Sequence, residues 1–130
     1  MAQKEIELIL ARQLAESLVT SIFLVDPTGS LLFFNESAEK ILGRRFSETG
    51  ELSAAAWSTM FDPLDEQGQP LAPAALPLMI TLTELRPAHG AFWIHGFDSV
   101  KRHIEVTSFP LFGQANRYVG AIAIFWEVPA

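Results

Sequence analysis

The sequence predicts an α+β fold: a five-stranded antiparallel sheet with short helices on one face and an amphipathic helix at the N-terminus. Three observations carry this expectation. Apolar residues at i, i+4 steps open the chain, a strand, turn and strand follow, and the last third alternates apolar runs with turns of two to four residues. The 130 residues suit one domain, since a chain of this size buries roughly two thirds of its unfolded surface. With 49% hydrophobic and 18% charged residues, the composition is that of a packed globule and not of a disordered segment.

From Gln3 to Leu18, the row Ile6, Leu10, Leu14 and Leu18 is set against Lys4, Glu5, Glu7, Arg12 and Glu16, which predicts an amphipathic helix. A helix this short is marginal alone in water, so its apolar row needs the domain's own sheet or a second subunit. Residues 1–19 therefore read as a capping or dimerisation helix, and residues 20–130 as the domain proper.

Ser21 to Val25 and Leu31 to Phe34 are strand-like runs joined by Asp26-Pro27-Thr28-Gly29, a β-hairpin pattern. Asn35 stands where an N-cap belongs, Glu36 and Glu39 complement the positive end of a helix over Glu36 to Leu42, and Gly43 suits its left-handed end. A further short helix is predicted from Ser53 to Met60, before a turn at Asp65-Glu66-Gln67-Gly68. Pro77 fits the first position of a helix through Leu85, and Pro87 stops it.

Three strands then read over Ala91 to Phe97, Arg102 to Leu111 and Tyr118 to Val128, and their short connections imply antiparallel pairing. The last is apolar on both alternating sets, Ala121, Ala123 and Phe125 against Ile122, Ile124 and Trp126. Such a strand belongs in the centre of a sheet covered on both faces, so Trp126 is expected to be buried.

Val25-Asp26-Pro27-Thr28-Gly29, followed by Phe34-Asn35-Glu36-Ser37-Ala38 and Ile41-Leu42-Gly43, resembles the opening motif of PAS domains. Asp65, Gly68, Pro70-Leu71 and Leu76-Pro77-Leu78 resemble the loop and long helix of that family, and Val106, Pro110-Leu111 and Gly120 its closing strands. The resemblance spans about residues 20–128 and lies in order and spacing. The chain departs from the family at Trp126-Glu127-Val128-Pro129, where an Asp-Ile-Thr-like junction to an effector is common. The resemblance implies a sensory module in signal transduction, including transcription regulation, that acts by binding and dimerising.

The residues exclude several chemistries. Cys is absent, which removes disulfides, thiolate metal ligands and the thiol that Cys-linked flavin and chromophore photocycles require. Haem-binding members of the family carry a His on the long helix, and Leu76 to Leu85 has none, His89 lying beyond it. A net charge of −6 repels phosphate backbones, so no direct nucleic-acid contact is expected. The longest clean apolar run, Tyr118 to Trp126, has nine residues, against about 20 for a membrane-spanning helix. Lys4, Glu5 and Glu7 interrupt the uncharged stretch that a secretory signal needs. The expectation is a cytoplasmic chain without membrane contact.

His95 and His103 fall on neighbouring strands, on one face or on two according to a register that the sequence leaves open. A zinc site would need a third ligand from His89, Asp98 or Glu105, and solvated strand histidines are the simpler expectation. There is no G-x-S-x-G, Walker A or G-x-G-x-x-G pattern, and acid pairs such as Asp62 with Asp65 lie in turns, so catalysis is not expected. Instead, aromatic and Met residues point to an apolar pocket with Trp57, Met60, Leu78, Met79, Leu82, Trp93 and Val106 as its candidate lining.

The expected partners are a second copy, held through Ile6, Leu10, Leu14 and Leu18, a small apolar or aromatic ligand, and an effector domain or signalling protein. The alternatives are a ligand-free interaction module, and a small cone-shaped α+β isomerase or hydrolase that would need a buried carboxylate or His.

Overall fold

The computed structural model describes residues 6–129. Helix α1 (Ile6–Ser17) leads into strands β1 (Ser21–Val25) and β2 (Leu31–Phe34); residues 3–5 of the expected helix lie outside the described residues. The β1–β2 turn is organised by Asp26, whose Oδ1 accepts from Thr28 N and Ser30 N, both at 3.0 Å. Gly29 closes it at φ +89°, where an added Cβ would stand 2.9 Å from that of Ala54, so both conformation and space require glycine.

Helix α2 (Glu36–Leu42) begins at Asn35, whose side chain accepts from Ala38 N at 3.1 Å, and ends at Gly43 with φ +82°. The single turn α3 (Phe46–Thr49) was not expected, and α4 (Ala54–Met60) is capped by Ser53, whose Oγ accepts from Ala56 N at 3.2 Å. After a 3₁₀ turn at Pro73–Ala75, α5 (Pro77–Glu84) starts on proline and ends where Leu85 turns left-handed at φ +54°. Strands β3 (Ala88–His95), β4 (Lys101–Phe112) and β5 (Tyr118–Glu127) complete the chain, with a 3₁₀ turn at Gln114–Asn116 before β5. β3 starts three residues earlier than the sequence indicates, because pairing with β4 carries Ala88 to Gly90 into the ladder.

The sheet runs β2-β1-β5-β4-β3, all antiparallel. Alternation along its central strand β5 divides the core as the sequence implies. Ala121, Ala123 and Phe125 face inward with Phe23, Phe34, Ile94 and Ile104, under α2, α4 and α5. Ile122 and Ile124 face outward with Ile22, Leu24 and Leu32, under α1. Each large apolar side chain buried in these layers contributes roughly 1.5–3 kcal/mol.

Of the two partners left open for the apolar row of α1, the sheet is not the one it meets: Leu8, Ala11 and Ala15 cover the sheet, and Ile6, Leu10, Leu14 and Leu18 turn outward. The expected burial of Trp126 is corrected here. Trp126 is 37% exposed: the pairing of β1 with β5 ends at Ser21 opposite Phe125, so beyond it only β4 flanks the strand.

Asn35 ties the layers together. Its Nδ2 donates to the carbonyls of Ala15 at 2.9 Å and Thr20 at 2.8 Å, while Oδ1 also accepts from Ile22 N at 3.1 Å. Ser37 Oγ adds a hydrogen bond to the Val19 carbonyl. At the margins of the sheet, Leu31 of β2 bridges Leu52, and Trp93 of β3 exchanges two 2.9 Å hydrogen bonds with Leu64.

Candidate functional site

Between the inner sheet face and the helices lies a cavity of about 90 Å³. Strand alternation supplies its floor: Phe23 from β1, Phe92 and Ile94 from β3, Ile104 and Val106 from β4, Ala123 and Phe125 from β5. The helices supply the roof, with Leu42 from α2, Trp57 and Ser58 from α4, and Pro77 and Leu78 from α5. Phe61, Pro63 and Leu76 close the side between α4 and α5.

Among the described residues the lining holds no titratable side chain and has almost no polarity to offer. The Trp57 indole N–H donates to the Gly29 carbonyl at 2.6 Å, and Ser58 Oγ lies 3.5 Å from the Ala55 carbonyl. A water needs two to four polar partners to settle in such a space, which makes this a dry, apolar hole.

Of the seven residues predicted for the pocket, Trp57, Leu78 and Val106 line the cavity. Met79 and Leu82 pack against the same core from α5 without reaching the space, and Met60 is turned outward at the end of α4. Trp93 is on the opposite face of the sheet. The pairing sets Trp93 against His103 and Gly90 against Val106, so Trp93 and Val106 have opposite parity and cannot share a face. The aromatic size of Trp93 suggested the pocket, but its neighbours Phe92 and Ile94 are the residues that point in. Phe61 and Pro63 lie in a connection and carry no periodic signal.

The register also places the histidines. His95 and His103 are both on the outer face, where His103 stacks on Trp93 with ring centroids 4.6 Å apart and its Nε2 lies 2.8 Å from Glu66 Oε1. His89 sits 3.8 Å from Glu105. Among the described residues no group of three His, Asp or Glu side chains is arranged to hold a metal ion.

Charge is organised at the two ends of the sheet. At the β3–β4 turn, Arg102 donates to both oxygens of Asp98, at 3.2 and 2.9 Å, and to the Ile41 carbonyl at the end of α2 at 2.8 Å. This guanidinium, helped by the Val100 N–H, holds the Asp98 carboxyl below its usual value, and Arg102 is raised in return. At the opposite end, burial and then the charge of Asp26 push the Tyr118 phenol up.

The second candidate surface is the outward side of α1, where Ile6 is 64%, Leu10 56% and Leu14 61% exposed, with Ile9, Leu18 and Val19 beside them. No helix among the described residues is long and apolar enough to cross a membrane.

No protein-family model and no curated protein matches the sequence. Solved structures do match the fold. The PAS domain of a protein from Colwellia psychrerythraea is 16% identical with a TM-score of 0.64, over 92% of this chain and 97% of that one. The PAS domain of nitrogen regulation protein NR(II) from Vibrio parahaemolyticus is 17% identical with a TM-score of 0.62, over 92% and 98%. A LOV protein from Rhodobacter sphaeroides is 12% identical with a TM-score of 0.74, over 96% of this chain and 69% of that one. With TM-scores of 0.62 to 0.74 over more than nine-tenths of its length, the chain is a domain of the PAS fold.

Proposed function

We propose that this domain is a sensory and regulatory module of signal transduction, acting as a homodimer paired through the outward side of α1 and biased by a small apolar ligand in the inner cavity. The observation that carries the reading is the division of labour on α1. Leu8 and Ala15 satisfy the sheet, yet the large residues at positions 6, 10 and 14 stay in water. An i, i+4 row of this kind is a ridge that interdigitates with its own copy across a two-fold axis.

The sheet lies between the cavity on one side and α1 on the other, and Asn35 connects the end of α1 to β1 and α2. A ligand that prefers one arrangement of these elements shifts the dimer by no more than its differential affinity. The output passes to an effector or partner signalling protein in the cytoplasm, without contact to nucleic acid or membrane. Support for an isomerase or hydrolase would be a carboxylate or His on the cavity wall, and the lining residues include neither.

Sedimentation velocity tests the dimer. Leu14→Glu should yield a folded monomer whose urea midpoint no longer rises with protein concentration, whereas Leu8→Glu should unfold the domain. A monomeric wild-type chain at high micromolar concentration would remove the claim. One observation favours a second reading, a ligand-free interaction module: the cavity, at about 90 Å³, is smaller than the roughly 300–1,000 Å³ of drug-sized ligand sites. Thermal melts with and without a small apolar molecule in solution separate the two, because only a domain that takes such a ligand is stabilised by it.

A further inference from the structure

We infer that the cavity takes a small uncharged molecule without hydrogen-bonding groups, between xenon and benzene in size, and that Phe61 is the door through which it passes. This rests on the ligand half of the function proposed above and narrows it. The volume of about 90 Å³ is some three-fifths of the roughly 150 Å³ apolar cavity that accommodates benzene or xenon. A flavin or a fatty acid does not fit that space, and benzene needs a slight widening of the walls.

Polarity narrows the class further. A carboxylate or amide placed here would give up its water hydrogen bonds and meet only the Ser58 hydroxyl, since the Trp57 N–H is engaged by Gly29. A buried polar group without a partner is strongly disfavoured. The walls therefore reject aromatic acids on chemistry and larger apolar molecules on volume.

Among the described residues, Phe61 is the one lining residue that is not buried. Its ring stands edge-on to Phe97, centroids 5.1 Å apart, at the side of the cavity between α4 and α5. Its backbone is held, because the Phe61 carbonyl accepts from His95 N at 2.7 Å. The next residue, Asp62, is held as well: at φ +45° its N–H donates to the Thr59 carbonyl at 3.2 Å. With the main chain fixed on both counts, opening falls to rotation of the Phe61 side chain away from Phe97.

The probes are xenon, benzene and benzoate. Xenon binding and exchange are followed by ¹²⁹Xe exchange spectroscopy, and benzene and benzoate by thermal melts. Xenon and benzene should bind the wild-type chain, and benzoate should leave the melting temperature where it was. Val106→Phe should abolish xenon binding. Phe61→Ala, or the milder Phe61→Leu, should speed xenon entry and exit together by at least about tenfold, the effect of lowering a barrier by about 1.4 kcal/mol. Urea midpoints confirm that each variant is folded. Equal shifts with benzoate and benzene would overturn the ligand class while leaving the sensor reading intact. Unchanged exchange in both Phe61 variants would overturn the door, and xenon persisting in Val106→Phe would place it outside this cavity. If neither xenon nor benzene binds the wild-type chain or Phe61→Ala, this inference and the ligand half of the proposed function both fail.

Discussion

Replacing Asn35 by alanine removes one side chain shared by five backbone groups from three elements and their connections. Asn35 is 1% exposed, and its orientation is fixed because two N–H groups face its oxygen and three carbonyls face its nitrogen. Loss of the N-cap of α2 costs about 0.5–2 kcal/mol. Each buried group left without a partner costs about 1–3 kcal/mol, but the carbonyls of Ala15 and Thr20 regain water if the end of α1 frays. The sum expected for Asn35→Ala is about 3–5 kcal/mol, a large share of the roughly 5–15 kcal/mol that stabilises a domain. Urea melts followed by tryptophan fluorescence measure it, and hydrogen exchange shows where it falls. Asn35→Asp keeps the oxygen that caps α2 and removes the donors to Ala15 and Thr20, so it should expose the amides of α1 while sparing those of α2. A cost below about 1 kcal/mol for Asn35→Ala, with α1 as protected as in the wild type, would refute the view that this residue holds the helix to the sheet.

Two more predictions follow from exposure and charge. A fully buried tryptophan costs about 3–5 kcal/mol on truncation, and the partly exposed Trp126 should cost about 1–2 kcal/mol as Trp126→Ala; a urea-melt loss above about 3 kcal/mol would mean that another surface covers it. The Arg102 pairing lowers the Asp98 pKa from 3.8, so its contribution is fully present above about pH 4 and is lost as pH falls through the lowered folded value. Asp98→Asn should therefore flatten the acid limb of the urea midpoint plotted against pH, and an unaltered limb would show that the pair does not couple to folding.

Local signals were legible wherever one residue settles one backbone problem. Asn35 and Ser53 cap helices, Gly43 ends one and Pro77 starts one, each as read from the sequence. The centrality of β5 followed from its two apolar sets. What stayed open or failed depended on relations between distant segments. On α1 the sequence left the row Ile6, Leu10 and Leu14 a choice between the sheet and a second copy, and the sheet takes Leu8 and the small Ala11 and Ala15, which let the helix come close. Trp93 and Val106 looked like neighbours until the β3–β4 register gave them opposite parity. Phe61 was invisible because its place at the cavity mouth is set by the β3 margin, through His95, and not by any pattern around it.

The bridges at Leu52 and Leu64 bear on how this domain can be solicited by other chains. An outer strand with a free row of N–H and C=O groups is a template for strand addition, and with it for runaway aggregation. Here β2 and β3 are the two outer strands, and a loop backbone occupies each, at Leu31 and at Trp93. Growth by edge-to-edge zippering is obstructed at both ends, which channels recognition to helical and facial surfaces where side chains, and not the anonymous peptide backbone, choose the partner.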